Sequence, residues 1–186
     1  LTSLAPLRSR ATLPATSKKP VSKMVRYNEI RDGEVAVNPP PPTDAGLVFI
    51  GQIRTPWTDR LMTPRQGKHD GPICKIEVFD PWVPALKGLD RFTQVEVIYW
   101  LHESRRDLVL QSPASDTNTH GTFSLRSPVR PNPLGTSVTK LVGIEGNTVL
   151  VRGLDCLDGT PLVDLKPDRC QFTPIAPPQP GDFETT

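Results

Sequence analysis

Between Arg126 and Gly135 the chain reads Arg-Ser-Pro-Val-Arg-Pro-Asn-Pro-Leu-Gly, placing three prolines, Pro128, Pro131 and Pro133, within a span too short for any regular element. Each pyrrolidine ring locks φ and removes an amide donor, so the segment can continue neither a helix nor a central β ladder. It predicts a rigid, extended loop that holds Arg126, Arg130 and Asn132 in place before a ligand arrives, which lowers the ordering cost of binding. Those side chains suit a carboxylate, a phosphate or a nucleobase. A proline-rich docking peptide has the same local composition.

The same residue type divides the whole chain. Its 22 prolines among 186 residues crowd the two ends, with Pro6, Pro14, Pro20 and the run Pro39 to Pro42 on one side and Pro177-Pro178-Gln179-Pro180 on the other. Residues 1–46 and 173–186 are expected to be extended or disordered tails around a single folded domain over 47–172. Leu1 to Lys23 holds Arg8, Arg10, Lys18, Lys19 and Lys23 and no acidic residue, as transit peptides do and as translation upstream of Met24 would equally produce.

With 22 basic and 20 acidic residues the net charge is +2, which excludes the broad field of a non-specific nucleic-acid binder, so any RNA contact must be local. Cys74, Cys156 and Cys170 are odd in number, widely spaced and without a CxxC pair, which argues against zinc and for a reducing, cytoplasmic setting. No apolar run reaches the roughly 18 residues a membrane helix needs. Neither GxGxxG nor GxxxxGK[ST] occurs, removing the usual signs of a Rossmann site or a P-loop.

Inside the folded stretch, short β-rich runs recur at the spacing of an all-β barrel or sandwich. Strands are predicted over Leu47 to Ile53, Ile73 to Phe79, Thr93 to Leu101, Thr119 to Arg126, Val138 to Ile144, Thr148 to Leu154 and Thr160 to Leu165. Alternation assigns Cys74, Ile76 and Val78 to the core. The third run carries apolar residues on both faces and is expected to be central. Glu145-Gly146-Asn147 signals a hairpin. A short helix interrupted by Gly88 is predicted over Val83 to Phe92, and Ser112 to Thr119 reads as a mobile loop.

Three constellations carry potential chemistry. Thr63-Pro64-Arg65-Gln66-Gly67 presents a guanidinium beside an amide, able to pair a carboxylate and read a base edge, or else forms a solvated turn. His102-Glu103 follows the central strand, where a histidine serves as a general base, a ligand holder or a structural group. Leu154-Asp155-Cys156-Leu157-Asp158-Gly159-Thr160, with Asp164 beyond, gathers carboxylates at a turn. They suit ribose hydroxyls or an amine, or simply cap an Asp-Gly turn, and an EF-hand pattern is absent, so no metal is expected. Cys156, without a neighbouring base, reads as a small buried side chain.

Taken in order, Gly51-Gln52-Ile53-Arg54-Thr55-Pro56, Pro64-Arg65-Gln66, Gly88 to Phe92, Leu101-His102, Gly121-Thr122-Phe123, the RSxxRPNPxG string and the LDxxDGTPxxDxKP string that ends at Pro167 resemble the TsaA-like, or TrmO, tRNA methyltransferases. The resemblance covers about Gly46 to Lys166. It implies a small antiparallel β-barrel with one or two short helices that binds S-adenosylmethionine as a homodimer and methylates N6 of the threonylcarbamoyl-adenosine at position 37 of a tRNA. It further implies cofactor contacts from Pro64, Arg65, Gln66, His102, Glu103, Arg126, Thr136, Leu154 and Asp155. Arg130, Asn132, Asp158 and Thr160 are implied to build the loop and the substrate side, with His102 or Asp158 as the candidate base. Glu103 stands where some members carry glutamine, and the residue at Thr136 varies among them. Some bacterial members continue beyond Pro167 into a domain implicated in holding tRNA, so Arg105-Arg106 and the basic N-terminal segment are candidates for phosphate contacts here. A barrel that binds S-adenosylmethionine or RNA without catalysis is the alternative, and a protein that docks through its proline segments is a third.

Overall fold

The computed structural model describes residues 30–41, 46–113 and 118–168; the expectations for residues 1–29, for the last dozen residues and for the centre of the Ser112 to Thr119 loop lie outside them. Nine strands form: β1 (Val35–Ala36), β2 (Gly51–Arg54), β3 (Ile73–Val78), β4 (Gln94–Trp100), β5 (Leu108–Gln111), β6 (His120–Gly121), β7 (Leu134–Glu145), β8 (Thr148–Arg152) and β9 (Thr160–Pro167). Six of them close into an antiparallel barrel in the order β2-β3-β8-β7-β4-β9, while β1, β5 and β6 make a separate three-stranded sheet. The spacing left barrel and sandwich open; closure settles the choice and leaves those six strands without a free edge.

The predicted alternation of β3 holds, with Cys74, Ile76 and Val78 all buried. They meet Ile53, Val95, Val97, Val149, Val151 and Leu162, each fully buried, in a core built from one face of every barrel strand. Burying side chains of this size contributes roughly 1.5–3 kcal/mol apiece. Polar residues sealed there bring their own partners: the Thr139 hydroxyl donates to the Val95 carbonyl at 2.9 Å, which offsets its desolvation. β4 is central as expected, bonded to both β7 and β9, but only one face is fully buried, and Ile98 and Trp100 are half-covered.

Several expectations require correction. The predicted strand from Leu47 enters the barrel ladder only at Gly51, and Leu47, Val48 and Phe49 are exposed. The segment from Thr119 to Arg126 pairs for two residues and then tightens into a 3-10 turn over Thr122–Ser124, because the Thr122 hydroxyl turns inward to the Leu108 carbonyl at 2.7 Å. The helix over Val83 to Phe92 is two 3-10 turns, Val83–Leu86 and Leu89–Arg91, parted by Gly88 at φ 88°. Strand β5 carries no alternation and was missed. β7 also begins earlier than predicted, at Leu134, the first residue after the last proline.

Strand direction determines where function can sit. β2, β4 and β8 run one way and β3, β7 and β9 the other, so loops 55–72, 101–133 and 153–159 all emerge at the same rim of the barrel. The opposite rim carries the 3-10 turns Val83–Leu86 and Leu89–Arg91 and the tight Gly146-Asn147 hairpin.

Candidate functional site

Every site residue predicted from the sequence lies on those three loops or on the strand ends that receive them. At their junction sits Asp155. Its Oδ1 accepts the Tyr99 hydroxyl at 2.8 Å and the Ser137 hydroxyl at 3.1 Å, and its Oδ2 accepts the Gly67 amide at 3.3 Å. The two hydroxyl oxygens also lie 2.9 Å apart, close enough for either to turn its proton from Asp155 to the other. One carboxylate thus joins β4, the start of β7, the Pro64-Arg65-Gln66 turn and its own loop.

Glycines make that convergence sterically feasible. A Cβ on Gly67 would lie 1.9 Å from the Gly153 carbonyl oxygen, so only glycine lets the first loop lie against the third. Gly153 adopts φ 109°, the left-handed region that turns the chain out of β8. A Cβ on Gly135 would fall 2.2 Å from the Tyr99 ring, so the last residue of the proline motif leaves room for the tyrosine that holds the aspartate. Burial, with the Asp155 charge adding to it, pushes the Tyr99 hydroxyl well above its ordinary value, so it serves as a standing donor.

The proline corner is built into the fold by its carbonyls. Gln111 Nε2 donates to the Val129 carbonyl at 2.9 Å, Arg106 Nε to Pro131 at 2.7 Å, and the Leu101 amide to Pro133 at 2.8 Å. The Arg130 guanidinium turns back onto the Leu125 carbonyl and lies 5.9 Å from the Phe123 ring centroid. Asn132 is exposed, and its carbonyl accepts the Leu134 amide.

The remaining predicted residues divide by what already occupies them. Asp158 accepts the Thr55 amide at 3.0 Å and faces Arg54 at 3.7 Å, while the buried Thr160 hydroxyl closes its turn onto the Leu157 carbonyl at 2.7 Å. Leu154 is buried in the core, so only its backbone is presented to the rim. Thr136 lies on the outward face of β7, opposite in sense to Ser137. Pro64 is half-buried, and Arg65 and Gln66 are exposed beside it. Neither Arg65 nor Arg126 has a charged or hydrogen-bonding partner among the described residues. His102 and Glu103 are both exposed, 4.0 Å apart. Of the two adjacent arginines, Arg105 forks onto Asp107 at 2.8 Å through both nitrogens, whereas Arg106 lies 5.3 Å from the Trp100 ring centroid. Asp164 is bonded to its own strand and faces Lys166. The Cys156 thiol is buried and pushed up to about 12 by desolvation, which removes it as a nucleophile. No group of His, Cys, Asp and Glu side chains suited to a metal occurs among the described residues.

The sequence motif reached Gly67 without giving it a role, and neither Tyr99 nor Ser137 carried a local signal. The rim now shows a fixed carboxylate, an unpaired guanidinium two residues before the amide that binds it, and an exposed turn backbone. This donor set complements a ligand carrying hydroxyls or a cation at one end and a carboxylate at the other.

Comparison with known proteins agrees. Residues 52–172 match the family model described as tRNA-methyltransferase O N-terminal domain. The chain is 57% identical over 154 residues to a Rhizobium radiobacter protein named "Probable S-adenosyl-L-methionine-binding protein VirR", covering 83% of this chain and 88% of that one. It is 33% identical over 138 residues to the mouse tRNA (adenine(37)-N6)-methyltransferase, covering 68% of this chain and 32% of the mouse protein. Among solved structures, TrmO from Pseudomonas aeruginosa superimposes with a TM-score of 0.60 at 30% identity, over 75% of this chain and 62% of that one. The chain therefore spans nearly all of the first relative and a smaller part of the other two.

Proposed function

The chain belongs to the tRNA-methyltransferase O N-terminal domain family, and from that premise we propose that it is an S-adenosylmethionine-dependent methyltransferase acting on N6 of adenosine 37 of a tRNA, with the threonylcarbamoyl form as its substrate. The observation that carries this reading is the Asp155 junction, where the two motifs most specific to the family, far apart along the chain, are tied together through Tyr99 and Ser137.

S-adenosylmethionine supplies a methyl group on a sulfonium sulfur, so the protein needs alignment and exclusion of water more than a covalent nucleophile. In this reading Asp155 accepts hydroxyl or ammonium protons, Arg65 pairs the carboxylate, and the backbone around Pro64, Gln66 and Leu154 lines the site. The target nitrogen must lose a proton. In this reading His102, which follows β4 on the same rim, accepts it, a choice supported by the engagement of both Asp158 oxygens by Thr55 and Arg54.

A homodimer in the cytoplasm is part of the proposal. Leu134, Val138 and Val142 form an exposed apolar row on the outward face of β7, a surface a second subunit would cover. Cys74 and Cys156 are free thiols, in keeping with a reducing compartment, and no helix of the described residues is long and apolar enough to cross a membrane. Sedimentation tests the dimer: a monomer at micromolar concentration defeats that part.

The decisive experiment incubates the protein with methyl-labelled S-adenosylmethionine and tRNA, with and without the threonylcarbamoyl group, and digests the product to nucleosides. Label on the modified adenosine is the expected result. Cofactor binding without transfer to any tRNA would instead favour a non-catalytic binding module, the second reading that the name of the Rhizobium relative suggests.

A further inference from the structure

Phe123 is 80% exposed, the most exposed large hydrophobic side chain of the described residues. It belongs to the 3-10 turn Thr122–Ser124, whose neighbours are pinned: Thr122 to Leu108 at 2.7 Å, and Ser124 to Gly121 at 2.8 Å. The ring is therefore held out by a stiff backbone. It packs against no core. The Arg130 guanidinium lies 5.9 Å from its centroid and is itself anchored on the Leu125 carbonyl. Phe123 and Pro131 both line a slot of about 150 Å³, together with Val109 and Ser124. That volume is about half the roughly 300 Å³ at which sites for whole small molecules begin, so the slot suits one planar ring rather than a nucleoside cofactor.

A second arginine–aromatic pair is tied to Pro131. Arg106 lies 5.3 Å from the Trp100 centroid and donates to the Pro131 carbonyl at 2.7 Å. Arg126 stands three residues after Phe123, exposed and without a charged partner among the described residues. Three cations and two aromatic faces on one rim of a nearly neutral chain form a local basic, aromatic surface.

We infer that Phe123, with Arg130 and Pro131, is a stacking platform for an unpaired base adjoining the target adenosine of the RNA substrate, with Arg126 and Arg106 meeting its phosphates. Single-stranded RNA is recognised by such splayed bases stacked on aromatic rings and guanidinium planes. This inference rests on the proposed RNA substrate, and it assigns to Phe123 a specificity role separate from cofactor binding at Asp155.

The test uses an anticodon stem-loop RNA carrying 2-aminopurine next to the target adenosine, with the full chain and its Phe123→Ala and Phe123→Trp variants. Because the side chain is exposed and outside the core, both variants should unfold at the wild-type temperature. Wild type should bind the RNA and quench the fluorophore by stacking. Phe123→Ala should lose the quench and bind about tenfold more weakly, with a matching rise in KM for RNA and an unchanged dissociation constant for S-adenosylmethionine. Phe123→Trp should restore both. Binding and quenching are read without methyl transfer, so a protein that stacks the base yet transfers no methyl group would defeat the proposed reaction and leave this inference standing. Absence of RNA binding by wild type, or unaltered quenching in Phe123→Ala, overturns it. So does a fall in cofactor affinity, or a loss of self-association in the variant, either of which would assign the ring to another contact.

Discussion

The Tyr99 hydroxyl donates to Asp155 Oδ1 at 2.8 Å, bridging 56 residues of sequence inside one rim of the barrel. Because Tyr99 is 4% exposed and its ring fills the space left by Gly135, the hydroxyl cannot swing to water when its partner is lost. Tyr99→Phe removes that donor, leaving Ser137 and the Gly67 amide on the carboxylate. A hydrogen bond to a charged acceptor is worth roughly 1.5–3 kcal/mol, so urea unfolding should show a loss at the lower end of that range. Affinity for S-adenosylmethionine, read by calorimetry, should fall about tenfold, which corresponds to about 1.4 kcal/mol. A variant equal to wild type in both would deny Asp155 its anchoring role.

Gly67→Ala tests whether the first and third loops must touch. The added methyl would sit 1.9 Å from the Gly153 carbonyl, backbone against backbone, and neither side is a flexible side-chain end. The loops must part, and the Gly67 amide leaves Asp155. Destabilisation of about 1–3 kcal/mol should accompany cofactor binding too weak to measure by calorimetry. Gly71→Ala is the control: its Cβ would meet the Lys68 carbonyl at 2.9 Å, a local contact within its own turn and away from Asp155. Cofactor binding should survive it.

What the sequence disclosed, and what it hid, follows from the range of the interactions. The faces of β3 were readable because Cys74, Ile76 and Val78 alternate with exposed or half-exposed neighbours, and alternation is a local property. β5 was not, because Leu108–Gln111 lacks alternation and exists as a strand through pairing with Val35–Ala36, more than 70 residues earlier. The carboxylates of the 155–158 turn were visible as a cluster, yet nothing local separates Asp155 from Asp158. Barrel closure makes the difference, bringing Tyr99 and Ser137 to one and Thr55 and Arg54 to the other. Tyr99 itself looked like an ordinary core residue, since its ring alternates correctly and only its hydroxyl leaves the core. The proline corner was legible as rigid, but the glycine that ends it acquires its meaning only beside the Tyr99 ring.

Alkaline pH should destabilise the protein earlier than its surface charge suggests. Burial raises the Cys74 thiol to about 11 and the Cys156 thiol to about 12, from an ordinary value of 9.0. Above pH 9 the unfolded chain therefore releases protons that the native state retains, and the free energy of unfolding falls as pH rises. The contribution of the pair is fully present below pH 9 and is lost progressively up to about pH 11 to 12. Between about pH 9 and 11 the two thiols together bring the slope towards about 2.7 kcal/mol per pH unit, and above that Cys156 alone contributes. Tyr99, also raised by burial, adds to the decline once unfolded tyrosine ionises near pH 10. Urea titrations at successive pH values should show that slope, and Cys156→Ala should remove about half of it whatever its effect on stability at neutral pH. An unchanged slope in that variant would refute the assignment.

Asp158 and His102 are both candidates for the base that takes the N6 proton, and their different contacts favour the proposal that His102 takes it. Asp158 Oδ1 accepts the Thr55 amide at 3.0 Å, Oδ2 faces Arg54 at 3.7 Å, and the turn it occupies is closed by Thr160. Its charge supports the joint between β2 and β9. His102 instead lies exposed after β4, with Glu103 4.0 Å away as its only charged neighbour among the described residues. Asp158→Asn keeps an oxygen for the Thr55 amide and loses only the partly exposed ion pair, worth about 0–1 kcal/mol. It should therefore methylate tRNA with kcat within about threefold of wild type and a slightly lower unfolding temperature. His102→Gln removes the imidazole while preserving hydrogen-bonding capacity, so kcat should fall by about 10²-fold or more, with cofactor affinity and stability retained. If Asp158→Asn instead abolishes turnover while the protein stays folded and loaded with cofactor, the proton goes to the aspartate and the assignment reverses.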